Sequence, residues 1–398
     1  MDLIKLDQDY ILNTYKRLPI EIVKAKGSYL YDQMGNKYLD MFAGIAVSSL
    51  GHLHPKVIQA MKKQMKKNLH LSNYFVSEPL VDLAKGLVSK SFASKVFFTN
   101  SGTEAIEASI KLARKYGKTI SPNKFKIITL SESFHGRTMG GLTLTAQPKY
   151  QESFLPLLPG ITYVERNNIK ELRKAMNRDV CAIFIEMIQG ESGIQVLSRE
   201  YIDELIKLSK EFKVLIVADE IQTGLLRTGK LFAYEHTNLI PDVLTLAKSL
   251  GGGLPLGAML VSKSLEDILK AGDHGTTFGG NPLAAASGLA TFTILSSAIM
   301  IQEVQAKSDY LFEKLNSLKN RYKIIKEIRG KGLMIGIEVG EFADKIKNEA
   351  LAKKVLLNVT NQTVIRLLPP LNMTYKDLDI FLNIFESIFI SINTNKNG

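Results

Sequence analysis

One cysteine, Cys181, is all the chain contains, so no internal disulfide can form and nothing calls for an oxidising compartment. Its setting in Val180-Cys181-Ala182-Ile183-Phe184-Ile185 is that of a small buried hydrophobe. Uninterrupted apolar runs are short, and none approaches the ~20 residues of a membrane-spanning helix. The first residues, Met1-Asp2-Leu3-Ile4-Lys5-Leu6-Asp7, lack the basic and then apolar texture of a secretory leader, so a cytoplasmic protein is expected. Repeats, low-complexity tracts and flexible linkers are missing too. The six histidines suggest no catalytic triad. The pair in His52-Leu53-His54-Pro55 has no carboxylate or cysteine at ligand spacing, so a structural role is expected there and no metal.

Acidic residues are the minority, 39 against 51 lysines and arginines, for a net charge of +12. That balance raises nucleic acid as a partner. The excess is mostly lysine scattered along the chain, however. The densest stretch, Met61-Lys62-Lys63-Gln64-Met65-Lys66-Lys67, reads as the solvated face of an amphipathic helix. No nucleic-acid-binding motif accompanies it, so neither nucleic acid nor membrane is an expected partner. A positive surface equally suits an acidic metabolite.

At 398 residues, 45% of them hydrophobic, the chain can bury a large core and divide into two domains. Strand-like runs alternate with helical patterns through its middle. They include Lys95–Thr99, a helix over 104–116, Lys126–Leu130, a strand over 182–186, the helix Arg199–Phe212, and the runs 214–218, 242–247 and 256–261. Such alternation predicts an α/β fold with a mostly parallel sheet covered by helices. Beyond Asn281 a long helical region over 282–318 gives way to short strands at 332–339 and 363–368 and a last helix over 375–390 with a polar tail. This texture predicts a smaller α+β domain. The hairpin-like segment of residues 29–32 and 35–40 is expected to join it. The expected division is residues 1–70 joining the small domain, 71–290 as the large domain, and 291–398 as the small one.

Asp219 closes one apolar run and Lys248 follows another. An amine and a carboxylate at the ends of buried strands suit pyridoxal phosphate chemistry: the lysine forms a Schiff base with the aldehyde, and the carboxylate keeps a pyridine nitrogen protonated. By itself Lys248 could equally be a lysine that caps a strand. Asn100-Ser101-Gly102-Thr103-Glu104 falls between a strand and a helix, where hydroxyls and backbone N–H groups favour a phosphate, although an ordinary N-cap reads the same way. Phe134-His135-Gly136-Arg137-Thr138 offers an aromatic to stack on a flat ring and an arginine to grip a carboxylate; the plainer alternative is a core phenylalanine beside a surface arginine. Glu191, in Gln189-Gly190-Glu191, follows another strand at the same carboxyl edge of the sheet, where ligands of open α/β sheets bind. The glycine-rich loop His274-Gly275-Thr276-Thr277-Phe278-Gly279-Gly280-Asn281-Pro282 could complete a phosphate site or be a plain loop.

Taken in order, these motifs, with Ala218-Asp219-Glu220-Ile221-Gln222-Thr223-Gly224 and Ala247-Lys248-Ser249-Leu250-Gly251-Gly252-Gly253, resemble the class III pyridoxal-phosphate-dependent aminotransferases, and within them the acetylornithine branch. The resemblance covers residues 29–371. It implies fold-type I architecture, with a seven-stranded sheet in the large domain, and pyridoxal 5'-phosphate as cofactor. It further implies that Lys248 carries the cofactor aldehyde and shuttles a proton, and that Asp219 pairs with the ring nitrogen. Gln222 would contact the ring hydroxyl, Phe134 and Ile221 would sandwich the ring, and Glu220 would join these cofactor contacts. Ser101, Gly102 and Thr103 would bind phosphate, with Thr277 supplied by a second subunit of a homodimer. Arg137 would hold the substrate α-carboxylate, with Thr276 nearby. Arg366 would pair with Glu191 while the amino donor is bound and be released to grip a carboxylate of 2-oxoglutarate. Met187 stands where the family often has proline, and Ser192 where the acetylornithine branch usually has glycine. Gly44-Ile45-Ala46-Val47 lacks the tyrosine that ornithine enzymes carry near the substrate amine, which points to an acylated donor.

Overall fold

Seven strands form the central sheet of the computed structural model, which describes residues 3–394. Their spatial order is Lys95–Thr99, Gly257–Val261, Val243–Leu246, Leu215–Asp219, Val180–Ile185, Lys126–Leu130 and Ile161–Val164. Gly257–Val261 runs antiparallel to both neighbours, and the remaining pairs are parallel. Every residue of Val180–Ile185 and of Leu215–Asp219 is buried, as expected for strands covered on both faces. Alternate residues serve different faces. Ile183, Ile185, Ile216 and Ala218 join one apolar cluster, while Ala182, Phe184, Leu215 and Val217 join the other. The helix Gly102–Ile120 seals the second face with Ile106, Ile110 and Ala113, and Arg199–Phe212 packs Tyr201, Ile202 and Leu205 onto the first.

A four-stranded antiparallel sheet, Glu327–Lys331, Met334–Glu338, Val364–Leu367 and Asn358–Thr360 in spatial order, forms the C-terminal part. The N-terminal strands Ile22–Lys26, Tyr29–Asp32 and Lys37–Asp40 form a meander, and Lys37–Asp40 pairs in parallel with Val355–Leu356. The chain's two ends are thus stitched together by backbone hydrogen bonds. The outermost positions of the expected domain spans, residues 1, 2 and 395–398, lie outside the described residues, as does the end of the expected polar tail.

The long helical region expected over 282–318 consists of two helices, Pro282–Leu295 and Ala298–Arg321, bent by 66°. Ser297 restarts the chain: its hydroxyl accepts the Met300 N–H at 3.3 Å, an N-cap that apolar periodicity does not register. The last helix extends past 390, as Tyr375–Thr394. No single helix among the described residues is long and apolar enough to cross a membrane. His52 Nε2 lies 2.9 Å from Asp40 Oδ2, and no group of three or more His, Cys, Asp or Glu among the described residues is placed to hold a metal.

Candidate active site

Parallel strands ending in register deliver the chemistry. Leu215–Asp219 presents Asp219 as its last residue, Val180–Ile185 runs into Glu186, and Val243–Leu246 leads through Ala247 to Lys248. All three residues line one cavity of about 470 Å³ at the carboxyl edge of the sheet. Lys248 begins a short 3₁₀ turn at φ +47°, a left-handed conformation that costs a non-glycine residue ~1–2 kcal/mol and fixes where the amine leaves the backbone. Burial pushes its ammonium down to about 8. Arg366 adds to the depression, while Glu191, Asp219 and Glu186 oppose it.

Asp219 is 4% exposed and fully engaged. Oδ1 accepts the Ile221 N–H at 3.0 Å and the Thr245 hydroxyl at 3.3 Å, and Oδ2 meets His135 Nδ1 at 2.6 Å. Burial alone would lower the His135 pKa, but its bond with Asp219 and the charges of Asp219 and Glu186 raise it. The other ring nitrogen, Nε2, is buried without a hydrogen-bond partner. Glu186 is pushed up to about 7 by burial and by Asp219, although its carboxylate accepts the Phe134 and Gly190 N–H groups. His135 and Glu186 had no role in the sequence reading. The signals were present: His135 lies inside the Phe134 motif, and Glu186 ends a strand as Asp219 does.

At the other end of the cavity Ser101, Gly102 and Thr103 open the helix Gly102–Ile120. Ser101 caps it by accepting the Glu104 N–H at 3.3 Å, and the Thr103 and Thr138 hydroxyls pair at 2.8 Å. Free N–H groups of a first helical turn and its dipole favour an anion here. A Cβ at Gly102 would lie 2.6 Å from Ile221 Cδ1, so the backbone approaches closely only because a glycine stands there. Phe134, Ile221 and Gln222 also line the space.

Arg366 is 1% exposed, and its Nη1 donates to Glu191 Oε1 at 2.6 Å and to Gly190 O at 3.1 Å. Its Nε donates to Asn358 Oδ1 at 2.9 Å, and Gln222 Nε2 donates to Glu191 Oε1 at 3.3 Å. Burial would raise the Glu191 pKa, yet the Arg366 guanidinium holds it below the usual carboxylate range. Arg137, on the cavity wall, has no carboxylate partner among the described residues; its guanidinium lies over the rings of Tyr150 and Phe134. Ser192 is buried, with its hydroxyl donating to Gln189 Oε1 at 3.2 Å, and Met187 is core.

Four expected positions do not line this cavity, and one of them, Arg366, stands behind Glu191. Glu220 is turned away: its buried carboxylate accepts the Ala233 and Tyr234 N–H groups at 2.6 and 2.8 Å, and burial lifts it to about 8. Neighbouring residues of an extended chain face opposite sides, so Asp219 and Glu220 cannot both face the ligand. The Thr276 hydroxyl accepts from Asn100 Nδ2 at 2.9 Å and lines a separate cleft with Glu104, Glu107 and His274. Thr277 is exposed and lines neither space.

A family model described as aminotransferase class-III matches residues 10–389. The acetylornithine aminotransferase of Caldanaerobacter subterraneus subsp. tengcongensis is 46% identical over 392 residues, which span 98% of this chain and 100% of that protein. Among solved structures, an ornithine aminotransferase from Toxoplasma gondii, with partial occupancy of pyridoxal phosphate at its active site, superimposes with a TM-score of 0.95 at 31% identity, covering 100% of this chain and 95% of that one. N-acetylornithine aminotransferase from Stenotrophomonas maltophilia K279a aligns with a TM-score of 0.85 at 32% identity, over 98% and 100% of the two chains. With a family match over nearly its whole length and a relative 46% identical across 98% of it, the chain belongs to the class III aminotransferases.

Proposed function

We propose that the chain transfers the terminal amino group of N-acetylornithine to 2-oxoglutarate, giving N-acetylglutamate semialdehyde and glutamate, a step of arginine biosynthesis. The observation that carries this reading is the Glu191–Arg366 pair. A buried arginine closed by one carboxylate suits a site that must hold a donor and then a dicarboxylate acceptor. The acylated donor is supported by the absence of tyrosine from residues 44–47, of which Val47 lines the cavity, and by the 46% identical relative.

The cofactor of this family is pyridoxal 5'-phosphate, and the residues present fit it. The Gly102 cradle, closed to any Cβ, and the open helix N-terminus would hold its phosphate. Phe134 and Ile221 would flank the ring, Gln222 would contact its hydroxyl, and Lys248 would hold the aldehyde carbon. When bound, the cofactor supplies an electrophilic carbon and an electron-withdrawing ring that weakens the C–H bond of the carbon bearing the amine. Asp219 would keep the ring nitrogen protonated, with His135 fixing its carboxylate. With the cofactor bound, Lys248 Nζ would move the proton that the donor carbon releases, and its pKa, lowered to about 8 by burial, suits a base working near neutrality. Arg137 would bind the carboxylate of each substrate, and Arg366 would take the second carboxylate of 2-oxoglutarate after Glu191 turns aside.

In the same reading the working unit is a homodimer, with Thr277 completing the partner's phosphate site, and the location is cytoplasmic. The large domain takes residues 71–290, and the two terminal segments together form the small one. Measurement of kcat/KM for N-acetylornithine, ornithine, N-succinyl-diaminopimelate and 4-aminobutyrate with 2-oxoglutarate tests the donor. N-acetylornithine is expected to lead, and a higher value for ornithine would replace the named donor while leaving the family intact. One pocket side chain can change such ratios by ~1–3 kcal/mol.

A further inference from the structure

Arg137 and Arg366 are held in opposite ways. Arg366 is buried and neutralised by Glu191, whereas Arg137 has neither a carboxylate nor a hydrogen-bond acceptor among the described residues. What orients Arg137 is aromatic: its Cζ stands 4.0 Å from the Tyr150 ring centroid and 5.4 Å from that of Phe134. The two rings meet edge to face, 6.3 Å apart at 83°. Tyr150 does not line the cavity, so it acts from behind the guanidinium.

The ring is a fixed platform because its short helix, Pro148–Gln151, is bolted down at both ends. On one side Gln147 is buried, and its Nε2 donates to Ser133 O at 3.0 Å, the carbonyl just before Phe134. At the other end Gln151, also buried, donates to Leu142 O and Thr143 O, each at 3.1 Å. Tyr150 N itself bonds to Gln147 O at 3.0 Å. Lys149 Nζ lies 4.8 Å from the same ring centroid. Among the described residues the Tyr150 hydroxyl makes no hydrogen bond to Arg137, which leaves the ring face as the working part.

We propose that Tyr150 is a positioning residue for substrate carboxylates: its ring presents the Arg137 guanidinium flat and unpaired, so that both amino donor and 2-oxoglutarate meet a preoriented carboxylate clamp. This rests on the reading of Arg137 as the carboxylate-binding arginine. A cation over an aromatic face contributes enough that losing the ring should raise KM for both substrates about 2- to 30-fold. Because the ring touches neither cofactor nor reacting atoms, kcat should stay within about twofold.

The test uses the cofactor-loaded enzyme and four variants. Tyr150→Leu should raise both KM values and the Kd of 2-oxoglutarate measured by calorimetry, with kcat and the bound-cofactor absorbance spectrum unchanged. Tyr150→Phe, which keeps the ring, should restore both. Arg137→Leu should weaken carboxylate binding more than Tyr150→Leu, and adding Tyr150→Leu to it should cost nothing further. Unchanged KM and Kd in Tyr150→Leu would overturn the proposal, as would an equal loss in the Arg137→Leu background or a fall confined to kcat. If Arg137→Leu alone leaves both substrates' KM unchanged, the carboxylate assignment beneath the proposal fails instead, so the two failures are distinguishable.

Discussion

Lys248 shows how much one side chain's chemistry depends on its surroundings. The chain has many exposed lysines, but this one sits in a crevice at a left-handed backbone angle, where burial pushes its ammonium down to about 8. The sign matters. A base with a lowered pKa is harder to charge, so the neutral amine becomes abundant above about pH 8, whereas an ordinary lysine needs strong alkali. Only the neutral amine attacks an aldehyde. The rate of pyridoxal phosphate uptake by cofactor-free protein should therefore climb about tenfold per pH unit below pH 8 and level off above it. Stopped-flow absorbance checks this; a rate still rising at pH 10 would show that Lys248 is not depressed. Lys248→Ala should abolish the reaction with the aldehyde and lower transamination by at least about 10²-fold, while the far-UV circular dichroism of the protein stays as it is.

At the scale of elements, helix Gly102–Ile120 carries a second glycine, Gly117, whose role only its packing reveals. By helix propensity, Gly117→Ala should stabilise the protein by ~1 kcal/mol. The structure predicts the reverse. A Cβ at Gly117 would fall 1.9 Å from Lys124 O and 2.7 Å from Cys181 Cβ, and such overpacking costs ~1–3 kcal/mol. Thermal unfolding of Gly117→Ala should show a lowered Tm. The same contrast explains which features were legible. Buried strands such as Val180–Ile185 announce themselves as apolar runs, and capped helices such as Arg199–Phe212 by their period. Ile22–Lys26 passes unnoticed because four of its five residues are exposed, two of them lysines. Asp219 and Lys248 were legible because strand ends mark a sheet edge. His135 acquires its role only through Asp219, a contact 84 residues distant that no local spacing encodes. Glu220 misleads for the converse reason: it shares Asp219's motif but not its side of the chain.

For the whole molecule, the loop around Thr277 is the part that its own chain leaves without a task. Thr277 is exposed and away from the Lys248 cavity, while Phe278 at 59% exposure and Tyr74, Phe75 and Val76 at 94%, 66% and 87% lie bare. These are one neighbourhood: Asn73 Nδ2 donates to Thr276 O at 2.8 Å, and the His70 and Phe278 rings lie 5.0 Å apart. An apolar apron around an idle hydroxyl is what a two-fold interface needs, since each copy both gives and receives the same residue. If Thr277 serves the partner's phosphate site, two damaged chains can repair one another. Lys248→Ala removes the amine from its own site, and Thr277→Glu places a carboxylate against the phosphate of the opposite site. A mixed dimer then holds one doubly damaged site and one intact site. Random reassociation of equal amounts should restore about a quarter of the unmodified activity, since half the dimers are mixed and each has one working site. If Thr277 instead served its own chain, every site in the mixed dimer would carry one lesion and no activity would return. Recovered turnover in the mixture, compared with either parent alone, decides between the two arrangements.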